Sequence, residues 1–444
     1  MTLSRTALAL FLLAQACRPA GDSAAPMEAS AWTDPSFGSL VWVAWDQPDE
    51  AIAHIAFRVQ DEDWRQSPAT LRAPGPQQQA LVGLPYDAVV DWEVRSGETT
   101  LGAGSLQTDP APATLPRVEV LASLPELQDP STAWILGSVD ELDEAGTPEA
   151  TWVFLLDRRG RYVWARRTEA GRGTLQAHLA SDGRALLIDL DSFWAAFDRG
   201  AASQVARVTL DGRTEQVWDT PALHHPFAEP TPGTIAWGAW GDGAEDLVES
   251  DSAGQSRTVW RCEDYRAAVG LPGALCSSNA LNWFPDRGTY LFSFYTTNTV
   301  VEIDRASGES LRWFGEMPGS WSFAPPESRF LWQHGATWTD TGTLLVSTRA
   351  SRAEECTIVR EYAPDVRART MREIWSFGLK DCLFASVLGE AHRLPGGNTL
   401  HNLGNALRLR EITPDGDLAW DLTWPDSSVL LRTEPLEDLW SLAP

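Results

Sequence analysis

The sequence predicts an all-β protein, a six-bladed β-propeller preceded by a small β-sandwich. Three observations predict it. A Gly-centred turn followed by an apolar strand recurs in "SDGRALLIDL", "TPGTIAWGAW", "DRGTYLFSFY", "DTGTLLVSTR" and "PGGNTLHNLG". A strand–turn–strand unit closing on tryptophan also recurs, with its last residues at Trp164, Trp218, Trp260, Trp313, Trp375 and Trp420. The period averages about 50 residues, the range of a four-stranded blade, and six such units imply six blades.

In chain order, "MTLSRTALALFLLAQAC" has one positive charge at Arg5, an apolar run from Ala7 to Ala14, and small residues ending at Cys17. That run is too short to span a bilayer as a helix and fits a secretory signal peptide. A cysteine directly after the cleavage region resembles the lipobox of bacterial lipoproteins, with Cys17 as the lipid anchor, although Ala14 stands where leucine is usual. Residues 1–17 are therefore expected to be a leader and 18–30 an Ala/Pro/Ser/Gly-rich tether. The expected location is extracytoplasmic: periplasm, outer membrane or cell surface of a bacterium, with the membrane engaged through the lipid only.

From 31 to 112 the chain alternates in "SLVWVAWDQ", "IAHIAFRVQ", "QALVGL" and "VVDWEVRSG". Short alternating strands between Gly, Pro and Asp turns resemble a fibronectin III or immunoglobulin-like sandwich. "TDPAPATLP" then reads as a linker, and 113–444 as the propeller. Each sheet cannot cover both of its faces alone, so neighbours must stack around an axis. The first unit lacks a preceding Gly-turn element; its missing strands could come from "TAWILGSVDE" just upstream or from the C-terminal "SSVLLRTEP", which would close the ring.

The formal net charge of −26 argues against nucleic acid as a partner, because phosphate binding needs lysine and arginine. Beyond Cys17 the cysteines are Cys262, Cys276, Cys356 and Cys382. An even number in an exported chain suggests disulfides, and neighbours Cys262–Cys276 and Cys356–Cys382 would each close a short loop. No zinc-ligand spacing is present, and no metal or cofactor is expected.

A propeller places the innermost strand of each blade on a shared central cavity. The stretches upstream of the Gly turns hold His178, His224, His225, His334 and His392, five of the seven histidines. Asn279 and His334 occupy the same slot of the repeat, with His225 close to it. His401 lies beyond its turn and reads as structural, and Arg349 as reaching solvent or an acidic loop.

The blocks "HHPF", "SSNALNWFPDRGTYLFSFYTTNTVVEIDRASGESLRWFG", "WQHGATWTDTGTLLV" and "HRLPGGNTL…REITPDGDLAW" resemble the bacterial aryl-sulfate sulfotransferases from roughly Thr151 to Trp424. The resemblance implies a sulfuryl transfer from a phenolic sulfate ester to a phenol through a sulfohistidine, without a nucleotide donor. It makes His334 the nucleophile and keeps His224, His225 and Asn279 as catalytic partners. The family's HHD aspartate is Pro226 here, its H-x-N histidine is Ser277, and its arginine falls at Tyr295. Sulfuryl transfer is catalysed largely by fixed cationic donors, so these departures predict reduced or altered activity. Tyr295, Ser277, His392, Arg393 and His178 are the further residues expected to contact substrate. The alternative is a catalytically inactive propeller that binds a phenolic or anionic ligand or a protein partner.

Overall fold

The computed structural model describes residues 29–143, 148–169, 171–241 and 244–444. The expected leader, Cys17 and all but the end of the tether lie outside the described residues. What is described is all-β and propeller-like, a succession of small, almost wholly antiparallel sheets.

Two sheets come first. Ser30–Thr33, Val41–Gln47 and Gly75–Leu81 form one; Ala51–Val59, Val89–Ser96, Thr99–Gln107 and two short strands form the other. Side chains two apart share a sheet face, so Val41, Val43 and Trp45 turn inward together against Ile55, Phe57, Val90 and Trp92 in one core.

From Glu119 onward six sheets of four or five strands follow. The innermost strands of the second to sixth are Ala177–Leu179, Leu223–Thr231, Ser278–Phe284, His334–Trp338 and Glu390–Arg393. The first sheet takes strands from both candidate segments: Trp134–Leu142 and the C-terminal Ser428–Leu436 pair in register beside Pro148–Asp157. Glu119–Ser123 completes the last sheet against Leu418–Thr423. The chain is thus closed on itself at two sheets.

Position within a sheet explains the composition of each strand. Thr289–Phe294 is flanked on both sides, buried throughout, and reads as an apolar run. Thr370–Phe377, near an edge, alternates. The recurring tryptophans clasp one sheet to the next. The indole N–H of Trp164 donates to Leu210 O at 2.8 Å, that of Trp218 to Gly233 O at 3.2 Å, that of Trp260 to Ser310 Oγ at 2.8 Å and that of Trp375 to Pro414 O at 3.0 Å. Trp313 donates to Pro318 O in the loop leading to the fifth sheet, at 2.9 Å. Trp420 ends the series beneath the Arg158 guanidinium of the first sheet, 4.4 Å from its ring centroid. Arg158 also pairs with buried Glu411, joining last sheet to first.

Both expected disulfides are present, Cys262–Cys276 and Cys356–Cys382. The single α-helix among the described residues, Cys262–Ala268, follows the third sheet. No described helix is long and apolar enough to cross a membrane.

Candidate functional site

The innermost strands surround a cavity of about 380 Å³. Several of the polar residues facing it share a local origin: each of these is, or adjoins, a residue that breaks the strand's pairing. Leu223 pairs with Ala239 and Phe227 with Trp237, so His224, His225 and Pro226 stand opposite one residue. Asn279 is the surplus residue between the Ser278–Phe294 and Ala280–Ser293 pairs. His334 opens a strand whose next two residues, Gly335 and Ala336, bulge before Thr337 pairs with Leu345. Leu431 and Arg432 together oppose Ser138 between the Leu430–Val139 and Thr433–Gly137 pairs. A bulge re-aims side chains that regular alternation would send to the other face.

The His334 turn is held firmly. Trp332 has φ +46 and Gly335 φ +58, left-handed values on both sides of the histidine. A Cβ on Gly335 would lie 2.3 Å from Glu390 Cβ, so only glycine fits. The fully buried Gln333 amide donates to Ser293 Oγ, Phe294 O and Thr299 O at 3.1–3.2 Å. Asn298 Oδ1 accepts from Trp332 N at 2.5 Å, and Asn279 Nδ2 donates to Gln333 O at 2.5 Å.

His334 Nδ1 lies 3.2 Å from Trp332 O. A carbonyl oxygen can only accept, so Nδ1 carries the proton and Nε2 keeps its lone pair. Burial first, and then the charge of Arg432, lower the His334 pKa to about 4, which keeps the ring neutral at ordinary pH. Burial and the neighbouring His224 and Arg432 charges push His225 well below the usual imidazole range. His225 Nδ1 and Asn279 Oδ1 are buried in the cavity wall without a protein partner. His224 packs with Phe193, Trp194 and Trp240, and its Nδ1 lies 2.9 Å from Glu245 Oε1, off line for a hydrogen bond. Glu245 is itself fixed by Ser278 N at 2.6 Å.

The structure brings His224, His225, Asn279, His334 and Tyr295 to the cavity. The Tyr295 ring lies within 18° of parallel to His334, centroids 6.2 Å apart. Four other expected residues do not line it. Ser277 is buried beside the wall, its N–H bonded to Thr296 Oγ1. His178 pairs with Glu434 at 2.7 Å, and His392 lies 3.7 Å from Glu390. Both sit later along their strands than the cavity residues. Arg393 pairs with Glu361 and covers the Trp375 ring, because the pleat turns it away from the residue before it. Arg349 is a cavity residue after all: its guanidinium stacks between Trp332 and Phe384, 4.5 and 4.7 Å from their rings. It also keeps a loose pair with Glu355 at 4.0 Å. His401 is buried against Ser347 Oγ at 3.0 Å, away from the cavity.

Sequence reasoning missed Arg432. It is 6% exposed, donates from Nη2 to Asn279 O at 2.5 Å, and has Glu390 Oε2 at 3.4 Å from Nη1. The only sequence signal was that "SSVLLRTEP" could close the ring. Alternation there pairs Val429 with Leu431, and the bulge that adds Arg432 is invisible without its partner strand. Asp140 and Asp191, also missed, line the other side of the cavity; burial raises each to a pKa of about 6. Among the described residues no group of three or more His, Cys, Asp or Glu side chains is placed to hold a metal ion.

No family model matches the sequence, and no curated protein matches it. Solved structures similar to it include a protein of unknown function from Bacteroides caccae, with 14% identity, TM-score 0.46, and coverage of 69% of this chain and 100% of that one. TolB from Acinetobacter baumannii is similar at 10% identity and TM-score 0.44 over 79% of this chain and 81% of TolB. The periplasmic gluconolactonase of Pseudomonas aeruginosa is similar at 15% identity and TM-score 0.39, covering 64% of this chain and 82% of the enzyme.

Proposed function

We propose that this protein is an extracytoplasmic transferase that moves a sulfuryl group from a phenolic sulfate ester to a phenol through a sulfohistidine on His334. The observation that carries the reading is the His334 turn: a neutral imidazole with its proton fixed on Nδ1, its Nε2 free, in a cavity shared with the unpartnered His225 Nδ1 and Asn279 Oδ1. In the first half-reaction Nε2 forms a bond to sulfur, the sulfur–oxygen bond to the aryl group breaks, and the aryl oxide leaves. In the second, the acceptor oxygen bonds to sulfur, the nitrogen–sulfur bond breaks, and the acceptor's proton passes through neutral His225 to solvent. Burial aids both steps, since charged donors act more strongly away from water.

The frame of this proposal is a six-bladed propeller at 113–444, made of the six closed sheets, behind an immunoglobulin or fibronectin III-like sandwich at 31–112. A leader at 1–17 and a lipid on Cys17 would hold it at a bacterial periplasmic or cell-surface membrane. Incubation with a chromogenic aryl sulfate, with and without a phenol acceptor, tests the chemistry. Acceptor-dependent phenol release and a sulfuryl mass shift on the His334 peptide are expected. No turnover and no adduct with any aryl sulfate overturns the transferase reading; release without need of an acceptor makes the protein a hydrolase. Uncharged Tyr295 and Ser277 favour a second reading, a silent propeller that binds a phenolic or anionic ligand or a protein. Ligand binding without turnover would establish it.

A further inference from the structure

We infer that Arg432 is the anion anchor of the cavity, and that the charges around it admit a singly charged aryl ester while rejecting a doubly charged one. The inference rests on the aryl-ester reading above for the ligand's aromatic part. The anchor itself follows from geometry.

Arg432 is the cation nearest the two imidazoles: its charge bears on both His225 and His334. It stands on the closing strand of the first sheet and reaches the fourth, where Nη2 meets Asn279 O at 2.5 Å. A guanidinium has five N–H donors, and this bond uses one. The nearest carboxylate oxygen, on Glu390, stands 3.4 Å off, so the fork is not closed by a bidentate partner and keeps donors for a ligand. Next to it are Asn279 Oδ1 and His225 Nδ1, which face the cavity without a protein partner and are open to a ligand. The apolar wall for an aryl group is supplied by Trp194, Trp332, Val429 and Leu431.

The same surroundings limit the charge of the guest. Glu390 is buried and ionised; burial alone would raise its pKa, but Arg432 and His392 hold it down at about 2. Its charge faces both Arg432, at 3.4 Å, and His392, at 3.7 Å, and offsets part of Arg432's field. Both His225 and His334 stay neutral and add no positive charge. Across the cavity stand Asp140 and Asp191, bound by Thr151 Oγ1 and by the backbone N–H groups of Phe193 and Trp194, and ionised above pH 6. Of the other two arginines in the lining, Arg349 is spread over two aromatic rings at the Trp332 side, and Arg172, on the Asp191 side, is bonded to Leu190 O and Ala202 O. Arg432 is the cation that faces the imidazoles, it stands between carboxylates, and it satisfies one negative charge. A sulfate monoester carries one; a phosphate monoester carries close to two at pH 8.

The test is binding at pH 8, read by quenching of tryptophan fluorescence, with 4-nitrophenyl sulfate, 4-nitrophenyl phosphate and 4-nitrophenyl methyl phosphate. The sulfate and the singly charged methyl phosphodiester are expected to bind. The doubly charged phosphate is expected to bind at least about tenfold more weakly. Arg432→Gln is expected to weaken the two monoanions about ten- to a hundredfold, the worth of a charge-assisted hydrogen bond, and Arg432→Lys by less. Equal binding of the dianion, or unchanged binding of the sulfate by Arg432→Gln with a native circular dichroism spectrum, overturns the inference. If Arg432→Gln does not fold, Arg432→Lys decides: it should weaken the sulfate and leave binding of the uncharged 4-nitroanisole unchanged, and any other pattern overturns the anchor. Turnover is not needed, so an inert protein that binds monoanions through Arg432 defeats the transfer chemistry and leaves the anchor standing.

Discussion

His334 owes its neutral, oriented ring to its surroundings rather than to its residue type. An ordinary imidazole is half protonated at pH 6.5, whereas here burial and Arg432 bring that point to about 4. Under the proposed transfer, kcat/KM on an aryl sulfate should therefore fall on the acid side as pH drops toward 4, not through 6.5, and the pH–rate profile checks it. His334→Ala should form no sulfuryl adduct and lose on the order of 10³-fold or more in rate. His401 shows the same physics with a structural outcome. Burial, and then Arg410, lower its pKa from 6.5 to about 3. The unfolded chain thus takes up a proton on His401 at a pH where the folded chain does not. His401 therefore withdraws stability as pH falls from 6.5 toward 3, and Tm should decline less over that window in His401→Gln.

Bulges do for the strands what these shifts do for single groups. Five consecutive residues of a regular inner strand would divide between two sheet faces, and a cavity would collect every second one. Surplus residues at His224–Pro226, at Asn279, after His334 and at Leu431–Arg432 turn additional polar groups inward. Gly335 is the most exacting of these positions. Gly335→Ala combines a positive φ with a clash on Glu390, and should destabilise the protein by more than about 1 kcal/mol while displacing His334. Urea denaturation gives the first quantity, and the yield of His334 adduct reports the second. The outer strands are held by their closing tryptophans. Trp164, 2% exposed and bonded to the next sheet, should cost about 3–5 kcal/mol as Trp164→Ala.

Closure joins the fold and the site in one molecule. Ser428–Leu436 is the innermost strand of the first sheet and carries Leu430, buried against Val139, as well as Arg432. Ending the chain at residue 427 removes the strand that completes that sheet and exposes the edge of Trp134–Leu142, an open template for aggregation. Such a truncation should lose its cooperative thermal transition and elute as aggregate in size-exclusion chromatography. Glu411 with Arg158, and Glu119–Ser123 with Leu418–Thr423, would remain but would join a broken circuit.

Much of this was legible in the residues themselves. Repeated Gly turns and terminal tryptophans gave the number and order of the sheets, since each marks a local event: a left-handed turn, or an indole at a strand end. Short separations gave the two disulfides. The clustering of His224, His225 and His334, with Asn279 in the same slot, followed from equivalent places in a repeat. Other features depend on partners far along the chain. Whether His178, His392 and Arg393 face the cavity is set by how far along the axis, and on which face of the pleat, they fall. Arg432 is set by a bulge opposite Ser138, nearly 300 residues away in sequence. The sequence by itself determined which strands form and that imidazoles meet near an axis. Only the tertiary structure decided which charges join them, because strand register and bulges are settled by pairing between segments, not within them.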